Sequence, residues 1–145
     1  MPDDPRIPLP DVNVLVALTN PSHQHHAQAH RWLAGVAAFA TTPLTENGLV
    51  RLLLNPVVTG QPVSGGQAVA ILAGLRADPR SAFLADDSSL GAALIDLVGL
   101  AGHRQAPDFH LVNLAAAHGA TLVSFDARIR GALPAADQHL VRVIG

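Results

Sequence analysis

Lysine and cysteine are both missing from this 145-residue chain, and all nine of its basic residues are arginine. Each absence removes a chemistry. Without a lysine amine there is no Walker A phosphate loop, no pyridoxal Schiff base and no class I aldolase. Phosphoaspartyl enzymes of the haloacid dehalogenase type and response-regulator receivers, which use a lysine to balance phosphate charge, are disfavoured for the same reason. Without thiols, disulfides, thiolate metal sites and cysteine nucleophiles are excluded. Charge is sparse: 14% of residues are charged and the net charge is −2. That argues against a uniformly basic nucleic-acid face while leaving room for a local arginine patch. No apolar run reaches the roughly 18 residues a membrane helix needs. The opening MPDDPRIPLP has acids and prolines where a secretory leader needs a basic start and an apolar stretch. The expectation is a cytoplasmic protein with no membrane span.

What the chain does have is apolar bulk, 49% of its residues, the composition of a globular protein. Its length suits one domain, residues 1–145, because domains hold roughly 100 to 200 residues. Apolar runs alternate with helical patterns, which predicts βα units around a mainly parallel central sheet. A first strand is expected near Ile7 to Pro10, helical turns over Val14 to Leu18, and a helix capped by Ser22 and reaching about Leu33. A strand over Val36 to Thr41 leads into Thr42-Pro43, a helix start, and that helix runs to Leu54 before Asn55-Pro56 stops it. Ser64 and Gln67 form a capping-box pattern ahead of a helix to about Leu75. Ser81 to Ala85 reads as a strand, and Ser88 as the start of another helix. Pro107 opens a helix through His118 that Gly119 ends, Ala120 to Phe125 is the clearest buried strand, and His139 to Ile144 is the last.

Reactive groups in open parallel sheets gather beyond the carboxyl ends of the strands. Four acids fall there: Asp11 after the first strand, Glu46 and Asp108 in first helical turns, and Asp126 directly after TLVSF. Singly, each has an ordinary explanation, since an acid near a helix N-terminus gains about 0.3–1 kcal/mol from the macrodipole. Glu46 stands out as the only glutamate beside ten aspartates. If the four converge, their mutual repulsion amounts to several kcal/mol per close pair, and a cation must offset it. Oxygen-only ligation suits Mg²⁺ or Mn²⁺, the ions of phosphodiester chemistry.

Asp11-Val-Asn-Val-Leu-Val-Ala-Leu, Thr45-Glu46-Asn47 and the stretch from Asp108-Phe-His through His-Gly-Ala-Thr-Leu-Val-Ser-Phe-Asp126 resemble the PIN-domain ribonucleases, most nearly the VapC-type toxins of bacterial toxin–antitoxin pairs. The last stretch is the most specific. The resemblance implies a three-layer α/β/α sandwich and an endoribonuclease with Mg²⁺ (or Mn²⁺) at Asp11, Glu46, Asp108 and Asp126. A metal-activated water would hydrolyse the RNA phosphodiester. It also implies homodimerisation and a cognate antitoxin. Asn13 falls at the small polar position that would orient Asp11 or a water on the metal.

Two features depart from the pattern. Pro10 lies inside what should be a central strand, where it cannot donate to a ladder, so the register there is left open. Arg128 stands where a further acid often follows, which weakens a second metal site or supplies a phosphate contact. Arg51, Arg104 and Arg130 are the other candidate phosphate contacts. His23, His25, His26 and His30 crowd one segment, and His26 and His30 have the i, i+4 spacing of a zinc pair, but no third ligand is evident and the HExxH glutamate is missing. They are expected on a solvated helix face. Trp32 and Leu33 read as core or dimer contacts, and Asp3, Asp4, Asp78, Asp86, Asp87, Asp96 and Asp137 as surface or capping acids. Besides the toxin, the sequence leaves open a housekeeping PIN nuclease of RNA maturation and a non-catalytic binding module on the same fold.

Overall fold

The computed structural model describes residues 5–145, so Asp3 and Asp4 lie outside the described residues. β1 (Ile7–Pro10) runs into α1 (Val12–Thr19) and α2 (His26–Ala34), followed by β2 (Phe39–Thr41), α3 (Pro43–Leu53), the single turn α4 (Pro56–Thr59), α5 (Gly65–Arg76) and β3 (Ser81–Phe83). A long irregular segment then leads to α6 (Ala106–His118), β4 (Ala120–Ser124), α7 (Ala127–Gly131) and β5 (Val141–Val143). All strand pairs are parallel: β1-β4-β5 form one ladder and β2-β3 another.

The two prolines of β1 explain that division. Ile7 and Asp11 donate to the carbonyls of Gly119 and Val123, which holds β1 on β4 in the register Ile7↔Ala120 to Pro10↔Val123. Pro8 and Pro10 alternate with those donors and so point to the opposite edge, where they have no N–H to offer. Pro10 is thereby accommodated within β1, and β2 runs beside β1 without a ladder to it.

Alternation along the strands divides the core. Leu9, Ala40 and Leu122 face one side with α6, Ile129 and Leu140, while Phe39 and Val123 face the other with α1, α3, Trp32 and Ala68. Helices cover both faces, the three-layer α/β/α arrangement that the resemblance implies. Trp32 belongs to the core, and Leu33 packs against it.

Most of the local expectations hold. Thr42 and Pro43 begin α3, the Ser64–Gln67 capping box opens α5, and Gly119 ends α6 with a φ of 63°. Asn55-Pro56 both stops α3 and starts α4, with Asn55 Oδ1 accepting from the Val57 N–H at 3.0 Å. Ser22 does not cap α2: its hydroxyl donates to Asn20 Oδ1 at 2.8 Å within a turn, and α2 begins four residues later. The strand expected over Val36 to Thr41 is confined to Phe39–Thr41.

The helix expected at Ser88 does not form. Ser89 accepts from Gly91 N–H in a short 3₁₀ turn, and the chain stays irregular to Gly102. Tertiary partners take up the backbone groups that a helix would use. Asn113 of α6 accepts from Leu94 N–H and donates to the Ser89 carbonyl, and Asp137 accepts from Asp96 N–H. Ile95 is buried there, and Gly99 packs so closely that a Cβ would overlap the Ala132 carbonyl oxygen.

Candidate active site

Asp11 ends the β1 connection and caps α1. Its Oδ1 accepts from Val12 N–H at 2.6 Å, and its Oδ2 accepts from the Ser124 hydroxyl at 2.9 Å. Ser124, the last residue of β4, in turn accepts from Asp126 N–H at 3.0 Å. One buried hydroxyl therefore fixes the carboxyl ends of two adjacent strands and the two acids that follow them. The sequence reading gave Ser124 no role, although its place just before Phe125-Asp126 and on the same face as Leu122 marked it as a polar residue facing inward. Asn13 does not orient Asp11; it is exposed and lines a neighbouring cavity.

Burial raises the pKa of Asp11, the Ser124 and Val12 bonds oppose this, and the Asp126 charge adds to it. Asp108, half-buried in the first turn of α6, is pushed up to about 6 by burial and then by the charges of Asp11 and Asp126, with Arg128 acting against them. Asp126 caps α7 and is held by Arg128 through Nε at 3.0 Å and Nη2 at 2.9 Å, which lowers its pKa. Sequence separation of up to 115 residues thus collapses into one electrostatic cluster of Asp11, Asp108 and Asp126.

Glu46 is treated differently. Its Oε2 accepts from the Thr41 hydroxyl at 2.6 Å and its Oε1 from Arg76 at 3.3 Å. It is not among the charges acting on the three aspartates. Neither Thr41 nor Arg76 was singled out from the sequence, where nothing local links them to Glu46.

The donor chemistry of the cluster suits a hard divalent cation: oxygen-only, negatively charged, and carrying a carboxyl whose ionisation the neighbours oppose. No three His, Asp or Glu side chains among the described residues are gathered closely enough to form a ready-made cage. Asp11 accepts from Ser124 and Asp126 from Arg128, so a cation at Asp126 would compete with the Arg128 guanidinium for the same carboxylate charge.

Two cavities share the Asp126–Arg128 pair. One, of about 280 Å³, is lined by Arg104, Gln105, Asp108 and Phe109. The other, of about 390 Å³, is lined by Asn13, His23, His25 and Phe125. Arg104 and Arg128 line these cavities, whereas Arg51 and Arg130 are exposed and line neither.

The histidine segment does not form a zinc pair. His26 Nδ1 lies 2.7 Å from the Ala17 carbonyl and His30 Nε2 lies 2.9 Å from that of Leu18. A ring nitrogen facing a carbonyl must carry its proton and donate, so both rings satisfy last-turn carbonyls of α1 that have no helical partner. His30 is exposed and His26 half-buried, as expected of a solvated helix face, and contact with α1 also holds both rings. Of the acids read as surface or capping groups, Asp78 pairs with Arg80, Asp86 with His110 and Asp87 with His118. Asp96 accepts from Val98 N–H, and Asp137 from Asp96 N–H.

Comparison with known proteins agrees with this geometry. The PIN domain family model matches residues 9–132. Ribonuclease VapC38 of Mycobacterium tuberculosis is 44% identical over 121 residues, covering 82% of this chain and 84% of that protein. Ribonuclease VapC39 of the same species is 41% identical over 128 residues, covering 82% and 88%. Among solved structures, Mycobacterium tuberculosis VapC20, described as a sarcin-ricin loop cleaving toxin, superposes with a TM-score of 0.60 at 16% identity, covering 86% of this chain and 94% of that one. No helix of the described residues is long and apolar enough to cross a membrane. Acids at the strand ends, the three-layer fold and these relatives lead to one assignment: the chain belongs to the PIN-domain family and groups within it with the VapC ribonucleases.

Proposed function

We propose that the protein is a divalent-cation-dependent endoribonuclease and the toxin of a type II toxin–antitoxin pair. The observation that carries the catalytic part is the convergence of Asp11 after β1, Asp126 after β4 and Asp108 in the first turn of α6, where burial and then the charges of Asp11 and Asp126 push the Asp108 pKa up to about 6. Like charges brought together at strand ends oppose folding, and a site that retains them has a use for a cation. Asp11, Asp108 and Asp126 would hold Mg²⁺ or Mn²⁺. Glu46, kept by Thr41 and Arg76 in the first turn of α3, is the fourth member of the proposed set and joins it by exchanging the Arg76 contact.

A bound Mg²⁺ or Mn²⁺ would neutralise charge on the scissile phosphate and ease deprotonation of an attacking water. The chain's own groups do the rest. Ser124 and the Val12 N–H hold Asp11 in one orientation. Arg128, with its side chain 91% exposed, and Arg104 present guanidinium groups to the phosphodiester backbone. RNA affinity is therefore expected to fall steeply with salt. The VapC relatives support an antitoxin as partner and RNA as substrate; a homodimer is the proposed assembly.

Purified protein incubated with RNA in Mn²⁺, in Mg²⁺ and in chelator tests the catalytic part: cleavage with either ion and none in chelator is expected. The same ions should raise the melting temperature of the wild type, by about 2.7 kcal/mol of stability at 100 times the dissociation constant. Equal cleavage in chelator overturns the cation dependence. Growth arrest on induced expression, relieved by a small protein encoded beside it, tests the toxin part. Expression without any effect on growth favours RNA maturation instead.

A further inference from the structure

With His26 and His30 committed to α1, His23 and His25 are the part of the histidine segment left without a role. Both line the cavity on the Asn13 side of the Asp126–Arg128 pair. The His25 ring lies on the Phe125 ring with centroids 4.6 Å apart and planes 22° from parallel, and His23 stands beside it at 5.7 Å and 43°. Phe125 directly precedes Asp126, so this stack is fastened to the acidic cluster by one peptide bond. The three rings are half-buried, and exposed Asn13 and Gln24 complete the wall.

The bonds already made assign the ring protons. His25 Nδ1 faces Gln28 Oε1 at 2.6 Å, so it carries a hydrogen and donates, which leaves Nε2 as the ring nitrogen open to the cavity. His23 Nδ1 accepts from His25 N–H at 3.0 Å, so the His23 hydrogen is on Nε2. Burial, with His25 and His26 adding to it, lowers the His23 pKa. Neither Nε2 has a partner among the described residues. The cavity therefore offers an aromatic stack, two ring nitrogens and the Asn13 amide, all beside an exposed guanidinium.

That combination matches an unpaired nucleobase, which has an aromatic face to stack and a polar edge to bond, attached to a phosphate. The turn bonds of His23 and His25 fix both rings in place and leave their Nε2 atoms accessible at the cavity rather than buried. We propose that this cavity is a nucleobase subsite, in which a base of single-stranded RNA extends the Phe125–His25 stack with its edge toward His23 and Asn13 while its phosphate lies at Arg128. The subsite rests on the nuclease reading above, and its test separates the two.

The probe is a short single-stranded RNA carrying one 2-aminopurine, moved position by position along the strand, with binding followed in chelator so that no cleavage occurs. Wild-type protein is expected to quench 2-aminopurine at one position. His25→Ala should abolish that quenching and weaken binding about tenfold, as loss of one base–aromatic stack does, while His25→Phe, which keeps the stack, should retain both. An RNA with an abasic residue at that position should bind wild type and His25→Ala alike, a readout that holds even if the alanine variant is less stable. Wild type that binds RNA with quenching and affinity unchanged by His25→Ala overturns the subsite and leaves the nuclease reading standing. Wild type that binds no RNA, even at low salt, overturns both.

Discussion

Glu46 and Asp108 both sit in the first turn of a helix, where the macrodipole favours an acid, yet the protein treats their charges in opposite ways. Glu46 receives a hydroxyl from Thr41 and a guanidinium from Arg76. Asp108 receives no hydrogen bond among the described residues, and burial and then the charges of Asp11 and Asp126 push its pKa up to about 6. The helix terminus is common to both, so it does not decide the outcome; the neighbours brought in from other elements do. One acid is built to be comfortable without a cation, and the other is built to want one.

The largest expected effect tests whether the two acids nevertheless serve one site. Asp11→Asn, Asp108→Asn, Asp126→Asn and Glu46→Gln should each lower RNA cleavage in Mn²⁺ by about 100-fold or more, because a cation contributes several kcal/mol of transition-state stabilisation. Initial rates on a labelled RNA check this. Full activity in Glu46→Gln beside three inactive aspartate variants removes Glu46 from the cation set and leaves it as the residue that fixes α3.

Stability without metal should separate the pair by sign. Asp108→Asn removes repulsion and should raise stability in chelator at pH 7.5 by about 1–2 kcal/mol. Glu46→Gln weakens the Arg76 and Thr41 contacts and should lower it by about 1 kcal/mol. Denaturant melts of the two variants measure both. A Glu46→Gln protein more stable than wild type would erase the contrast.

The pH dependence of the difference follows from the same cause. The Asp108 carboxyl titrates near 6 when folded against a reference value of 3.8. Between those values the folded state holds the extra proton, so stability falls as pH rises through the window, and the penalty is complete above 6. The stability advantage of Asp108→Asn over wild type should therefore widen from pH 4 to pH 7 and then level off. Melting curves in chelator across that range check it, and a constant gap would mean that Asp108 is not under the strain assigned to it.

The smallest effect concerns Arg128, which competes with a cation for Asp126. Its bidentate pair is exposed, and such pairs are worth at most about 1 kcal/mol. Arg128→Gln should therefore tighten Mn²⁺ binding only about two- to fivefold while weakening RNA binding. Calorimetric titration of Mn²⁺ and a salt series with RNA separate the two effects. Weaker Mn²⁺ binding in the variant would mean that Arg128 shapes the site rather than blocks it.

Much of this molecule was legible from the chain alone, because the signals were local. Thr42-Pro43, Ser64 with Gln67 and Gly119 act through backbone groups within four residues, so they read correctly as helix ends. The acids Asp11, Asp108 and Asp126 stood at strand and helix ends for the same reason, and the missing lysine and cysteine narrowed the chemistry before any folding was considered. What the chain could not disclose were partnerships across long separations. Ser124 reaches Asp11 across 113 residues and Arg76 reaches Glu46 across 30. Asn113 satisfies the segment at Ser89 and Leu94 that would otherwise have coiled. His26 and His30 exchanged a metal-like spacing for the carbonyls of α1. Periodicity and capping are set by neighbours along the chain, whereas the ionisation of an acid and the fate of a buried polar group depend on whatever folding brings within about 4 Å, and only the packed structure decides that.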